Sequence, residues 1–184
     1  MQILIKNQLR EELLKSNKSI KCKLLVAANQ CDSQEALYNL VTYPEKKSVD
    51  HLSHVIGCNE PSETNPNPFA NARNLYHNTT RQQARHYIIG FKNNPELVNT
   101  TTLPYIAYNI ALFFMPEYQV IYSWHENPGT PNQYHIHLVV GTTNISNGNC
   151  LPRNEEFKRK FCNYVNTLRL GSHFLEMTLG SNYK

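Results

Sequence analysis

Two β-prone segments in the second half of the chain limit its fold more than any other feature. Residues 118–124 and 134–143 are rich in aromatic and β-branched residues, which favour strands. The residues between them include Pro128, Gly129 and Pro131, which favour a turn. This pattern predicts an antiparallel β-hairpin, so we expect the chain to contain a sheet.

The rest of the chain carries patterns of both helices and strands. The first helix is expected to begin after Asp32 or Ser33 and to end before Pro44, because proline lacks the N–H that a helix interior needs. The predicted strands are residues 20–28 and 85–91, and the predicted helices are residues 34–43, 69–76, 103–115 and 154–168. This order predicts an α/β (α+β) fold: a single, mostly antiparallel sheet with helices packed on it.

The length of 184 residues fits one ordinary domain. Residues 1–18 place Ile5, Leu9 and either Leu13 or Leu14 at helical spacing between charged residues, which predicts an N-terminal helical appendage. Residues 19–184 are expected to form the main domain.

Charge permits a polyanionic partner, and cysteine content indicates a protein of the cytoplasm. Lys and Arg number 18 against 14 Asp and Glu, a net charge of +4 that permits such a partner. No apolar stretch reaches the roughly 20 residues of a membrane span, and no secretory signal is visible. The 5 cysteines include no C-x-x-C pair, which indicates reduced thiols. We therefore expect no membrane insertion.

Three histidines on the predicted hairpin form a candidate metal site. His135 and His137 stand two residues apart on one strand, so their imidazoles point to the same face, and His125 lies across the hairpin. Three neutral imidazoles suit a divalent cation that polarises a phosphate oxygen. Glu126, the nearest carboxylate, is a further ligand, a partner that orients an imidazole, or an exposed loop glutamate with neither role. The alternative is that these histidines only pack in the sheet.

Tyrosine is the candidate nucleophile, because serine and cysteine occur in no recognisable catalytic motif. Tyr38 and Tyr43 lie on the predicted first helix. A phenol with a pKa of about 10 is a weak nucleophile and needs a polarised phosphate or a nearby base. The alternative for either residue is a packing role.

Four segments in this order resemble the relaxases of conjugative and mobilisable plasmids, the histidine-hydrophobe-histidine nucleases, in particular their MobA/TraI-like class. Residues 20–169 span the resemblance. The segments are LVTYPEKK at 40–47, like the nucleophile motif, HVIGCN at 54–59, HYIIGF at 86–91, and His125 with HIHLVV at 135–140, like the metal motif. The resemblance implies the palm-like sheet of these nucleases in residues 19–184.

Several positions depart from the family pattern. Leu40 occupies the position of the catalytic tyrosine and cannot attack phosphorus. Tyr43 lies one helical turn later on the same face, so we prefer it as the nucleophile, with Tyr38 second. Gly90 replaces a serine of the family, and Gly141 stands where asparagine is frequent. A chain that binds DNA without nicking it is therefore a third reading.

The resemblance implies metal-assisted, strand-specific nicking and rejoining of single-stranded DNA at a transfer origin. Mg²⁺ or Mn²⁺ on the three histidines would polarise the scissile phosphate, and a tyrosine would form a 5′-phosphotyrosine that initiates conjugative transfer. His86 and Glu126 are expected to orient an imidazole from behind. The implied partners are accessory proteins of the relaxosome and a coupling protein, in a prokaryotic cytoplasm.

Single-stranded DNA requires basic residues for its backbone and aromatic rings for its bases. The rings considered for stacking are Tyr76, His77 and Trp124. The basic candidates are Lys46, Lys47, Arg73, Arg81 and Arg85. Each of these side chains has a structural alternative as a solvated charge or a partly buried ring.

Other functions share parts of this pattern. Rolling-circle replication initiators and transposases use the same metal and tyrosine chemistry, and a non-catalytic DNA-binding accessory protein fits Leu40. A histidine-triad nucleotide hydrolase also has alternating histidines on a strand. That class needs a third such histidine, whereas positions 133 and 139 are Gln133 and Val139.

Overall fold

A computed structural model describes residues 19–27, 33–47, 54–58, 67–80, 82–92, 94–127, 130–131 and 133–180. The predicted appendage at residues 1–18 lies outside them. The strands are β1 Ser19–Val26, β2 His54–Ile56, β3 Ala84–Phe91, β4 Val120–Glu126, β5 Tyr134–Gly141, β6 Arg169–Leu170 and β7 His173–Leu179. The helices are α1 Gln34–Lys47, α2 Ala70–Leu75, α3 Leu103–Ala111 and α4 Glu155–Val165, and a 3-10 turn at Leu112–Phe114 follows α3.

The strands form one seven-stranded sheet in the order β2-β4-β5-β3-β1-β7-β6. Each described neighbouring pair is antiparallel except β1 with β7, which are parallel. The predicted class, a mostly antiparallel sheet with helices packed on it, is confirmed. No helix in the described ranges is long and apolar enough to cross a membrane.

Alternation along the strands divides the sheet into two faces with separate cores. On β5, Ile136 and Leu138 point into the larger core, whereas Val139 points into the smaller core on the other face. Helices α3 and α4 cover the larger core, and the rings of Phe113 and Phe161 lie 4.9 Å apart between them.

Helix α4 follows from local sequence signals. The side chain of Asn154 accepts a hydrogen bond from the backbone N–H of Phe157, which caps the first turn. Phe161 and Val165 are buried at helical spacing. The prediction of a helix here is confirmed; the helix begins one residue later and ends three residues earlier than expected.

The helix expected to end before Pro44 is longer than predicted. Helix α1 continues through Pro44 to Lys47. The proline removes only the hydrogen bond to the carbonyl of Leu40, four residues earlier, and the rest of the helix continues around it. Strands β2, β6 and β7 were not predicted, because two of them are short and β7 pairs with a strand about 150 residues earlier.

Candidate active site

The hairpin brings the three predicted metal ligands together. His125 on β4 stands directly opposite His135 on β5, and Ser123 stands opposite His137. Because side chains two residues apart share a face, all three imidazoles lie on the face of the smaller core. One ligand nitrogen from each of the three histidines lies within 4.8 Å of the others.

The ring of His125 is oriented by the backbone beside it. Its Nδ1 lies 3.0 Å from the main-chain oxygen of Glu126. A carbonyl can only accept, so Nδ1 carries the proton and Nε2 keeps its lone pair. The contact to Glu126 is therefore made by the backbone, and its carboxylate is exposed at the end of β4.

His86 on β3 contacts the ligand His137 on the side of the ring away from His125. Its Nε2 lies 2.6 Å from Nδ1 of His137, and the two rings are stacked with centroids 4.9 Å apart. Nδ1 of His86 is buried and has no hydrogen-bond partner among the described residues. His86 thus occupies the position from which a buried acceptor can orient a ligating imidazole.

Two proton arrangements satisfy these contacts, since Nε2 of His137 also lies 3.0 Å from Nε2 of His125. In the first, His86 donates to His137, and His137 donates to His125. In the second, Nδ1 of His137 donates to His86, and the two Nε2 lone pairs face each other. Facing lone pairs repel, so the second arrangement requires a cation between them.

The spacing of these donors fits a metal ion. Two ligands at right angles, each about 2.1 Å from an ion, are about 3.0 Å apart. The two Nε2 atoms have this separation. The buried Nδ1 of His135, which also lacks a hydrogen-bond partner among the described residues, is a further unsatisfied nitrogen in the cluster.

Burial keeps the imidazoles of His86, His135 and His137 neutral. Burial, followed by the neighbouring imidazoles, lowers the pKa of His137 to about 2 and that of His135 to about 4. Burial lowers the pKa of His86 to about 4. Metal ions bind the neutral imidazole, so the two ligands His135 and His137 are in their ligating form at neutral pH, and His86 behind them is neutral as well.

Helix α1, which carries both candidate nucleophiles, packs on the same face of the sheet as the histidines. Its Leu37 and Val41 are buried in the smaller core, and Leu40 packs against that core from its margin. Tyr38 is half-buried, and its carbonyl accepts from the hydroxyl of Thr42 at 2.7 Å. The backbone of position 43 lies in α1. The side chain of Tyr43 lies outside the described part of the structure.

The basic residues singled out from the sequence have different surroundings. Arg85 is only 6% exposed, and its guanidinium donates to the carbonyls of Leu151 and Pro152 and to the hydroxyl of Tyr87. These bonds hold the loop before α4 against β3 and point the charge away from solvent. The half-buried Arg73 donates to the carbonyl of Thr80 at 2.8 Å.

The other three basic candidates cannot be placed in the same way. The side chains of Lys46 and Lys47 and the whole of Arg81 lie outside the described residues. Among the rings considered for stacking, Trp124 is buried in the larger core, on the face opposite the histidines. His77 is exposed, and the hydroxyl of Tyr76 donates to the carbonyl of Ile145.

Two residues beside the site were not singled out from the sequence. Ser123 is buried on the histidine face, directly opposite His137. Lys23 lies on that face two strands from His135. Alternation in β1 and β4 places each on one of two faces, but only the sheet order shows that both share the face of the histidines.

Comparison with known proteins gives one family and one similar structure. The family model "Relaxase: MobA/VirD2-like, nuclease domain" matches residues 38–170, a range that includes both tyrosines and all four histidines of the cluster. No curated protein matches the chain. A chain solved in work on the molecular basis of vancomycin resistance transfer in Staphylococcus aureus is similar at 15% identity and a TM-score of 0.47. The similarity covers 81% of this chain and 91% of that chain.

Proposed function

Because the chain belongs to the MobA/VirD2-like relaxases through its nuclease domain, we propose that it nicks one DNA strand at a transfer origin and later rejoins it. The intermediate is a 5′-phosphotyrosine, and the other product is a free 3′-hydroxyl. One phosphodiester replaces another of similar energy, so the step is reversible and requires no ATP. Nicking at the origin would initiate conjugative transfer.

One observation carries this proposal: the ligand nitrogens of His125, His135 and His137 lie within 4.8 Å of one another, on the sheet face covered by the tyrosine-bearing helix. A phosphate-polarising centre and a phenol are the two parts that a tyrosine transesterase needs. Both come from elements packed on one face.

The histidines would hold Mg²⁺ or Mn²⁺. When bound, the cation supplies Lewis-acid stabilisation of charge on a non-bridging phosphate oxygen. The chain's own contribution is to fix the ligands. The carbonyl of Glu126 sets the ring of His125. With the cation bound, His86 would accept from Nδ1 of His137, which turns the Nε2 lone pair of His137 toward the cation.

Tyr43 is the proposed nucleophile, and Tyr38 is the second choice. The bond from the tyrosine Oη to phosphorus forms as the bond from phosphorus to the 3′-oxygen breaks. The phenol loses its proton to solvent, and the 3′-oxygen takes one up. Helix α1 runs unbroken to Lys47, which supports the one-turn relation between Tyr43 and Leu40, the family's nucleophile position.

A covalent-adduct assay tests the proposal. The protein is incubated with labelled single-stranded DNA covering the transfer origin and Mn²⁺, and adducts are resolved on denaturing gels. We expect an adduct that is lost in Tyr43→Phe and kept in Tyr38→Phe, with the modified peptide mapped by mass spectrometry. The reverse pattern would assign Tyr38. DNA binding without an adduct in the parent protein would contradict nicking.

A non-catalytic DNA-binding accessory protein is the second candidate function. Leu40 favours it, because an apolar residue packed at the margin of the smaller core occupies the family's nucleophile position. The same assay separates the two, since an accessory protein would bind DNA and form no adduct. A histidine-triad hydrolase is disfavoured, because Gln133 and Val139 flank the two alternating histidines.

DNA contacts and partners complete the proposal. Lys46, Lys47, Arg73 and Arg81 are proposed to contact the phosphate backbone. Arg85 is left out, because its guanidinium is buried against backbone carbonyls. Accessory proteins of the relaxosome and a coupling protein in the cytoplasm are the proposed partners.

A further inference from the structure

The histidine face of the sheet extends beyond the metal site in one straight row across five strands. His125 stands opposite His135, His135 opposite Gly90, Gly90 opposite Lys23, and Lys23 opposite Thr178. Neighbouring strands are about 4.8 Å apart, so the backbone of Lys23 lies about 10 Å from that of His135.

The orientation of the β1 lysines follows from the larger core. Ile20, Cys22 and Leu24 are buried in that core, so Lys21 and Lys23 between them point to the histidine face. Lys21 and Lys23 are both exposed. A Cβ built on Gly180 would lie 2.8 Å from Cε of Lys23, so the stem of this lysine extends across the end of β7.

Gly90 leaves the surface between the histidines and the lysines open. A Cβ built on Gly90 would have no heavy atom within 4 Å. A residue without a side chain lets another backbone approach the sheet closely. The sheet surface between His135 and Lys23 is therefore not covered by a side chain at Gly90.

The sheet surface next to Gly90 carries a positive charge. Lys92 is exposed, and its N–H donates to the carbonyl of Lys21 at the end of the β1–β3 pair. Glu176 on β7 stands opposite Lys21 and accepts from the hydroxyl of Ser19 at 2.7 Å. Three lysines against this one described carboxylate leave an excess of two positive charges.

We infer that a single DNA strand leaves the histidine site over Gly90 and continues across β1, with its phosphates at Lys23, Lys21 and Lys92. The inference rests on the proposed function, because the histidines supply the phosphate from which the path starts. A polyanion that leaves the histidines over Gly90 would reach the backbone of Lys23 after about two strand spacings. The lysines hold the backbone without reading sequence, since ammonium groups contact phosphates as point charges.

Equilibrium binding without metal tests the path. Fluorescence anisotropy with a labelled single-stranded oligonucleotide measures Kd from about 50 to 200 mM salt for Lys21→Gln, Lys23→Gln, Lys92→Gln and the triple variant. Each lost phosphate contact should make the negative slope of log K for association against log salt shallower by about 0.7, and the triple variant should make it shallower by about 2. Lys160→Gln is the matched control, because Lys160 lies exposed on α4 over the opposite face. Unchanged slopes in the triple variant would overturn the path.

A charge placed in the middle of the row gives a second measurement. Gly90→Glu adds a carboxylate between His135 and Lys23, whereas Gly90→Gln adds the same bulk without charge. We expect Gly90→Glu to raise Kd about threefold or more beyond Gly90→Gln at low salt. Equal Kd values for the two variants would contradict a phosphate path over this residue.

The proposed nicking activity and the proposed DNA path can be refuted separately. If the parent protein forms the tyrosine adduct and the triple lysine variant binds with the parent's salt slope, nicking stands and the path is wrong. If binding depends on the lysines and no adduct forms, the path stands and nicking is wrong.

Discussion

Replacing His86 with leucine is expected to weaken binding of Mn²⁺ by about 10- to 100-fold, the effect typical of removing a partner that orients a metal ligand. The substitution removes the acceptor 2.6 Å from Nδ1 of His137 and keeps a side chain of similar size in a site that is 5% exposed. A loss of 10- to 100-fold corresponds to about 1.4–2.7 kcal/mol of binding free energy.

The free energy of unfolding of the metal-free protein should change much less. Losing the hydrogen bond between the two histidines costs about 0.5–1.5 kcal/mol. Removing Nδ1 of His86, buried without a partner among the described residues, returns an amount of the same order. The two effects oppose each other, so we expect a net change of about 1 kcal/mol or less.

Isothermal titration of Mn²⁺ into metal-free protein and urea unfolding in EDTA measure the two quantities. His173→Leu is the matched control, because His173 begins β7, three strands from β5 in the sheet order. His86→Gln, which keeps a side-chain acceptor, should recover part of the affinity. A Kd for Mn²⁺ in His86→Leu within about threefold of the parent would refute an orienting role for His86.

Three further predictions concern the fold. Ile136→Ala should lower the free energy of unfolding by about 2–5 kcal/mol, because Ile136 is fully buried; a shift below about 1 kcal/mol in urea unfolding would contradict its place in the core. Gly141→Ala should lower the free energy of unfolding by about 1–3 kcal/mol, because the added Cβ would lie 2.9 Å from Cδ1 of Phe69. Gly90→Ala adds a Cβ with no heavy atom within 4 Å, so it should be neutral or stabilising. Equal unfolding midpoints for the two variants would argue against the close approach of Gly141 to Phe69. Burial raises the pKa of Cys22 in the folded state, so the protonated thiol stabilises the fold below its ordinary pKa of 9.0, and this contribution is lost as the pH rises above that value. Iodoacetamide labelling followed by mass spectrometry should modify the exposed Cys150 and spare Cys22. Fast labelling of Cys22 in the native protein would count against its burial.

Local patterns predicted the elements that carry the site. The β-prone segments around Pro128 and Pro131 predicted the hairpin, and the spacing of His135 and His137 placed both rings on one face. These signals depend only on neighbours in sequence, so they survive without knowledge of the rest of the fold. The capping signal at Asp32 or Ser33 predicted α1 but not its end, since Pro44 removes one hydrogen bond and the helix continues to Lys47.

Long-range contacts account for what the sequence left open. Arg85 was one of the basic candidates for a DNA contact, yet it points into the larger-core face and donates to carbonyls about 66 residues later. The orienting acceptor for His125 is the carbonyl of Glu126, and a backbone atom leaves no mark in the choice of residue.

The sequence alone determined that three histidines share a face of a hairpin and that lysines alternate with apolar residues in β1. Only the tertiary structure decided that β3 lies between β5 of the hairpin and β1, so that Gly90 stands between His135 and Lys23. It also decided that His86 contacts His137. The reason is physical: the period of a strand fixes which side chains share a face, whereas the order of strands is set by packing of distant segments, which no local period encodes.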